Sequence, residues 1–205
     1  MKLDPRLKRG GAFALIFLLL AASLYGCAPA APVNTPAQAQ ETHASSKESS
    51  TQTPPVQVLS AFTSIDLDGN DVTSDVFQNA KVTFVNIWGT FCGPCINEMP
   101  DLGELAEEYA DKGVQFIGVV ADASADTADE IELAKEIREE TGASYLHILV
   151  SQSVYDAMLT GVSAIPTSFF VNDKGEIISE TYVGSKTKAK WQAVIDGVLD
   201  AQGVQ

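Results

Sequence analysis

The run Val82-Thr83-Phe84-Val85-Asn86-Ile87-Trp88 is β-branched, aromatic and almost wholly apolar, the composition of a strand covered on both faces. Just beyond it comes Cys92-Gly93-Pro94-Cys95. From there Met99, Leu102, Leu105, Ala106 and Tyr109 recur at helical spacing until Gly113 closes the pattern. Pro94 suits a first helical turn, where its missing N–H costs nothing. A second apolar strand, Val114-Gln115-Phe116-Ile117-Gly118-Val119-Val120, follows at once, so the two strands and the intervening helix make a right-handed parallel unit. Helices must then cover the sheet on both sides. The chain is expected to build an α/β domain with Cys92 at a helix N-terminus.

The rest of the sequence continues the alternation. Phe62-Thr63-Ser64-Ile65-Asp66-Leu67 alternates apolar and polar residues ahead of the turn signal Asp68-Gly69-Asn70, which predicts an N-terminal hairpin. A charged helix is expected from Asp129 to Glu140, packing through Ile131, Leu133, Ala134 and Ile137. A short strand over Tyr145–Val150, a short helix over Val154–Leu159 and a strand over Thr167–Val171 follow. Asn172-Asp173-Lys174-Gly175 reads as a tight turn from which Glu176–Tyr182 returns as an antiparallel strand. The last helix, Lys188–Ala201, carries Trp191, Val194, Ile195 and Val198 on one stripe, which assigns Trp191 to the core.

Upstream the composition changes. Lys2, Arg6, Lys8 and Arg9 precede the apolar run Ala12–Ala22, the layout of a secretory signal. The run ends in Leu24-Tyr25-Gly26-Cys27, which resembles a bacterial lipobox and makes Cys27 a candidate lipid anchor. Residues 28–56, with Pro29, Pro32, Pro36, Pro54 and Pro55 among Ala, Ser, Thr and Gln, have too little apolar bulk to offset the entropy of folding and read as a disordered tether. The expected division is therefore a signal with lipobox over 1–27, a tether over 28–56 and one folded domain over 57–205.

The net charge of the chain is -14, with 13 Lys and Arg against 27 Asp and Glu. Four of those bases lie in the leader, so the remainder is more acidic still. Nucleic acid is excluded as a partner, and adhesion to anionic lipid through the domain surface is disfavoured. Membrane attachment would have to come from the anchor.

Three cysteines are too few for a bridged secreted scaffold, and a domain of about 150 residues needs no such staple. With two residues between them, Cys92 and Cys95 lie on one helical turn, the first at the positive end where a thiolate is stabilised. Cys92 is therefore the expected nucleophile, and Cys95 the thiol that resolves the mixed disulfide. A zinc site would use the same spacing but needs further ligands. His147, alternating with Leu146 and Ile148, reads as a strand histidine, and His43 as a solvated tether residue. No metal and no cofactor are expected.

Trp88-Gly89-Thr90-Phe91-Cys92-Gly93-Pro94-Cys95, with Ile165-Pro166-Thr167 far downstream, resembles the thioredoxin superfamily over most of residues 57–204. The leader, the added hairpin and Glu98-Met99-Pro100 are similar to its membrane-anchored TlpA/ResA-like branch. That resemblance implies a thioredoxin fold: a central mixed sheet flanked by helices, with an N-terminal β-hairpin and a helical insertion added. It implies that Pro166 is a cis-proline facing the disulfide and that Ile165 pairs with an extended substrate segment, with Trp88, Phe91, Gly93 and Pro94 as further substrate contacts. Asn86 stands where cytosolic thioredoxins keep a buried aspartate, and it cannot take a proton; Glu98, one turn beyond Cys95, matches an acid of the ResA-like branch and is the candidate proton acceptor.

The expected activity is extracytoplasmic thiol-disulfide exchange by a lipid-anchored monomer. It would reduce exported proteins, apocytochromes c being one family substrate, and draw electrons from a membrane thiol carrier. Two other classes stand beside it. A thiol-dependent peroxidase would need a proline and a threonine at set spacing ahead of its cysteine, but Thr90 is only two residues before Cys92 and no proline stands ahead of it. A non-catalytic module would use the Ile165-Pro166 groove for binding alone.

Overall fold

The computed structural model describes residues 57–204. The expected leader, with Cys27, and the tether lie outside them. Among the described residues, seven strands and four α-helices follow in the order β1 (Thr63–Ile65), β2 (Asp71–Thr73), β3 (Val82–Trp88), α1 (Gly93–Ala110), β4 (Val114–Val120), α2 (Ala128–Thr141), β5 (Leu146–Leu149), α3 (Gln152–Val154), β6 (Thr167–Asn172), β7 (Tyr182–Val183) and α4 (Lys188–Gln202), with a 3-10 turn over Ser74–Asn79 after β2. The main sheet runs β5-β4-β3-β6-β7. β3, β4 and β5 are parallel, whereas β6 and β7 are antiparallel to their neighbours. The sheet is mixed, and β3, buried along its whole length, is its centre.

Alternation along β3 divides the core. Phe84 points to the α1 and α4 side, where its ring lies 4.8, 4.9 and 5.1 Å from those of Phe116, Trp191 and Phe170, the spacing of favourable aromatic contacts. Val85 and Ile87 point the other way, into a cluster with Phe62, Phe77, Val154 and Met158. A third cluster, under the end of β3, joins Trp88, Met99, Val120, Ala134 and Ile137 to the two cysteines.

The hairpin forms as the turn residues dictate. Asp66 Oδ1 accepts the N–H groups of Asp68 and Asn70 at 2.9 and 2.8 Å, and Gly69 takes φ 86°, a left-handed conformation costly to other residues. The hairpin then lies along the free edge of β5: Leu67 N–H donates to His147 O and Ser64 Oγ to Leu149 O. The final antiparallel strand is shorter than the alternation of Glu176–Tyr182 predicts. Ile177 and Ile178 pair with β6, but the Ser179 hydroxyl takes the Phe170 N–H at 2.9 Å in place of a backbone carbonyl. Regular pairing resumes only at Tyr182, opposite Ser168. The helix expected over Val154–Leu159 is a single α-turn that widens, with Thr160 N–H reaching back five residues to Tyr155 O, a π turn.

Candidate active site

Cys92 is the N-cap of α1, its sulfur accepting the Cys95 N–H at 3.2 Å, and Pro94 sits in the first turn. The two cysteines form a disulfide with their Cα atoms 5.2 Å apart. Cys92 keeps 6 % of its surface exposed and Cys95 1 %, so an incoming thiol meets Cys92 first. Gly93 and Pro94 are exposed beside it. The segment leading in is pinned by one carboxylate: Asp122, after β4, accepts from Thr90 N–H at 3.0 Å and from Thr90 Oγ at 2.5 Å. Gly89 is confined on three sides, since a Cβ there would lie 3.1–3.2 Å from Ile165, Phe91 and Asp122. The same contact places the Ile165–Pro166 bond, which is cis, across the site from the end of β3.

Phe91 is 74 % exposed and stands at the rim of an open apolar cleft of about 380 Å³ lined also by Tyr155, Leu159, Val162, Ala164 and Ile165. The π turn supplies Tyr155 and Leu159 to that wall. Trp88 corrects the sequence reading: its side chain is wholly buried and cannot contact a docked chain. Its indole N–H instead donates to His147 Nδ1 at 3.1 Å. Indole nitrogen only donates, so Nδ1 is unprotonated and Nε2–H donates to Ala143 O at 2.9 Å. Burial lowers the His147 pKa to about 4, so the ring is neutral at physiological pH.

Glu98 is placed quite unlike an ordinary surface helix carboxylate. It is 3 % exposed and the only acid among the buried polar residues described. Oε2 accepts from Lys186 N–H at 2.9 Å and from the Trp191 indole at 3.1 Å, while Oε1 faces Asn86 Nδ2 at 3.4 Å. Burial pushes its pKa above the usual carboxylate range, and these donors together with the Lys186 cation only partly oppose that rise. Asn86 also donates to Ser168 Oγ at 3.0 Å, leaving Asn86 Oδ1 without a partner. A carboxyl poised this way can hold or release a proton one helical turn from Cys95. The sequence reading missed Lys186, Trp191 and Ser168. Trp191 was legible only as core, because nothing local signals that its N–H meets a residue 93 positions away.

The Redoxin profile matches residues 48–196 of the chain. The chain belongs to the Redoxin family. Among its relatives, the thiol-disulfide oxidoreductase ResA of Bacillus thuringiensis (strain Al Hakam) is 30 % identical over 135 residues, 65 % of this chain and 72 % of that protein. The thiol:disulfide interchange protein DsbE of Haemophilus influenzae is 28 % identical over 128 residues, 62 % of this chain and 65 % of that one. Among solved structures, a thiol:disulfide interchange protein from Bacteroides sp. superposes with TM-score 0.57 at 25 % identity, over 70 % of this chain and 89 % of that one. One of the thioredoxin family from Chlorobium tepidum gives 0.58 at 23 %, over 70 % and 97 %. The fold is thioredoxin-like, and the chain is a ResA/DsbE-like thiol-disulfide oxidoreductase.

Proposed function

We propose that this Redoxin-family chain is an extracytoplasmic protein-disulfide reductase, tethered through Cys27 to the outer face of the cytoplasmic membrane, where it acts as a monomer on exported proteins. The observation that carries the reading is the pairing of a helix-capping thiol, Cys92, with a buried acid, Glu98, one turn beyond Cys95. In the reduced protein the Cys92 thiolate attacks a substrate disulfide, forming a Cys92–substrate bond and expelling the first substrate thiolate, which takes a proton from solvent. Glu98 then accepts the Cys95 proton. The Cys95 thiolate attacks Cys92 sulfur, closes the disulfide and expels the second substrate thiolate, which receives that proton. Two electrons pass from the dithiol to the substrate, and a membrane thiol carrier restores them. The cis Ile165–Pro166 loop supports an extended substrate segment beside Cys92, and Phe91, Gly93 and Pro94 add exposed contacts. Gly-Pro between the cysteines, as in the reducing thioredoxins, supports reduction as the direction, and apocytochromes c are one substrate class that the resemblance to the TlpA/ResA-like branch implies.

Single turnover of the reduced full chain with a disulfide-bonded peptide tests this. Cys92→Ser should release no peptide thiol, whereas Cys95→Ser should release one thiol and stall as a covalent adduct. Release of peptide thiol by Cys92→Ser would overturn the assignment.

A further inference from the structure

Glu98 receives two of its hydrogen bonds from one short stretch of the C-terminal region, the connection between β7 and α4 and the first turn of α4. Lys186 N–H and the Trp191 indole both end on Oε2. The attachment is reinforced next door, where Asp101, three residues further along α1, accepts the Lys188 N–H at 2.8 Å. Trp191 itself has no freedom to turn. It is fully buried, edge-on to Phe84 and to Tyr182, with Lys186 Nζ 4.9 Å above its ring.

The chemistry of these donors is one-sided. A backbone N–H and an indole N–H can only donate, so both favour the carboxylate over the acid. On Oε1 the partner is Asn86, whose unpaired Oδ1 would accept an acid proton after a half-turn of the amide. Asn86 can therefore follow either protonation state, whereas Lys186 and Trp191 bias Glu98 toward one. Among the described residues, the titratable groups of other elements whose charge couples to Glu98 are Lys186 and Tyr145, and Cys95 lies one turn before it on its own helix. Burial keeps the Tyr145 phenol neutral.

We propose that Trp191, with the Lys186 N–H, is the positioning pair that fixes the Glu98 carboxylate and favours its ionised form, so that the C-terminal helix sets the pH at which Cys95 resolves a mixed disulfide. This rests on Glu98 being the proton acceptor for Cys95. The test is the pH profile of resolution, measured by single turnover on a disulfide-bonded peptide with the full-length protein, Trp191→Phe and Glu98→Gln. Phenylalanine keeps an aromatic ring in the packing and removes the N–H. The native protein should show a limb that Glu98→Gln lacks, and Trp191→Phe should move its midpoint up by about one pH unit or more, the scale of a lost hydrogen bond to a charged group. A Trp191→Phe limb at the native midpoint, with Glu98→Gln still lacking it, overturns the positioning role alone. A native limb retained in Glu98→Gln overturns the acceptor role beneath it. Should Trp191→Phe fail to fold, the ¹⁵N shift of the Trp191 indole in the unaltered protein decides: it should titrate with the midpoint of the limb, and a flat shift overturns the proposal.

Discussion

Replacing Gly118 by alanine tests whether the Trp88–His147 contact supports the end of β3. Gly118 lies in β4 between Asn86 and His147, and a Cβ there would sit 2.2 Å from His147 Nδ1 and 3.0 Å from Trp88 Nε1. Ordinary contact distance is roughly 3.5 Å, so the imidazole would have to retreat by more than 1 Å. It has nowhere to go, being held by Ala143 O through Nε2 and stacked on Tyr145 with centroids 4.5 Å apart. Overpacking costs about 1–3 kcal/mol. The displaced ring also gives up two buried hydrogen bonds worth about 1 kcal/mol each. Alanine in a strand returns about 0.5–1 kcal/mol. The oxidised Gly118→Ala protein should thus be less stable by about 2–4 kcal/mol in urea unfolding, a large share of a typical domain's total. In a His147→Ala background the same change should cost little, because the clash is with the ring. Equal costs in both backgrounds would show that the clash is not with the His147 ring.

Three further outcomes follow, two from the structure and one from the proposed lipid anchor. Burial depresses the His147 pKa to about 4 against 6.5 for the free side chain, so the unfolded chain binds the extra proton first. Stability should fall as pH drops from about 6.5 to about 4 and level off below, by about 3 kcal/mol at most, and unfolding curves of His147→Gln should lack that component. Phe91, 74 % exposed beside Cys92, contributes little to the core. Phe91→Ser should change stability by under about 0.5 kcal/mol while raising KM for a disulfide-bonded peptide substrate, and an unchanged KM would remove Phe91 from substrate contact. Cys27→Ser should move the protein from the membrane fraction to the soluble extracytoplasmic fraction in bacteria, and retention on the membrane would refute the lipid anchor.

The strand-to-helix passage through Cys92 was legible because its signals are local: an apolar run, a proline in the first turn and a helical period ending at Gly113. The hairpin was legible for the same reason, since Asp66, Gly69 and Asn70 build their own turn. What stayed hidden depends on partners distant in the chain. Helical spacing put Glu98 on the face of Cys95, but its hydrogen bonds come from Lys186 and Trp191, and the tautomer of His147 is set by Trp88. Trp88 looked like a substrate contact because it opens the motif. Its place at the inner end of a buried strand turns it toward His147 instead. The shortened β7 has a similar origin, for a serine hydroxyl that replaces a ladder carbonyl leaves the apolar-polar alternation intact.

Whether the Cys92–Cys95 pair works as a reductant is decided by its reduction potential in a glutathione or dithiothreitol redox buffer. A reductant should have a potential in the reducing range, near about −270 mV; a value near about −120 mV, where strong oxidants lie, would make the pair an oxidant.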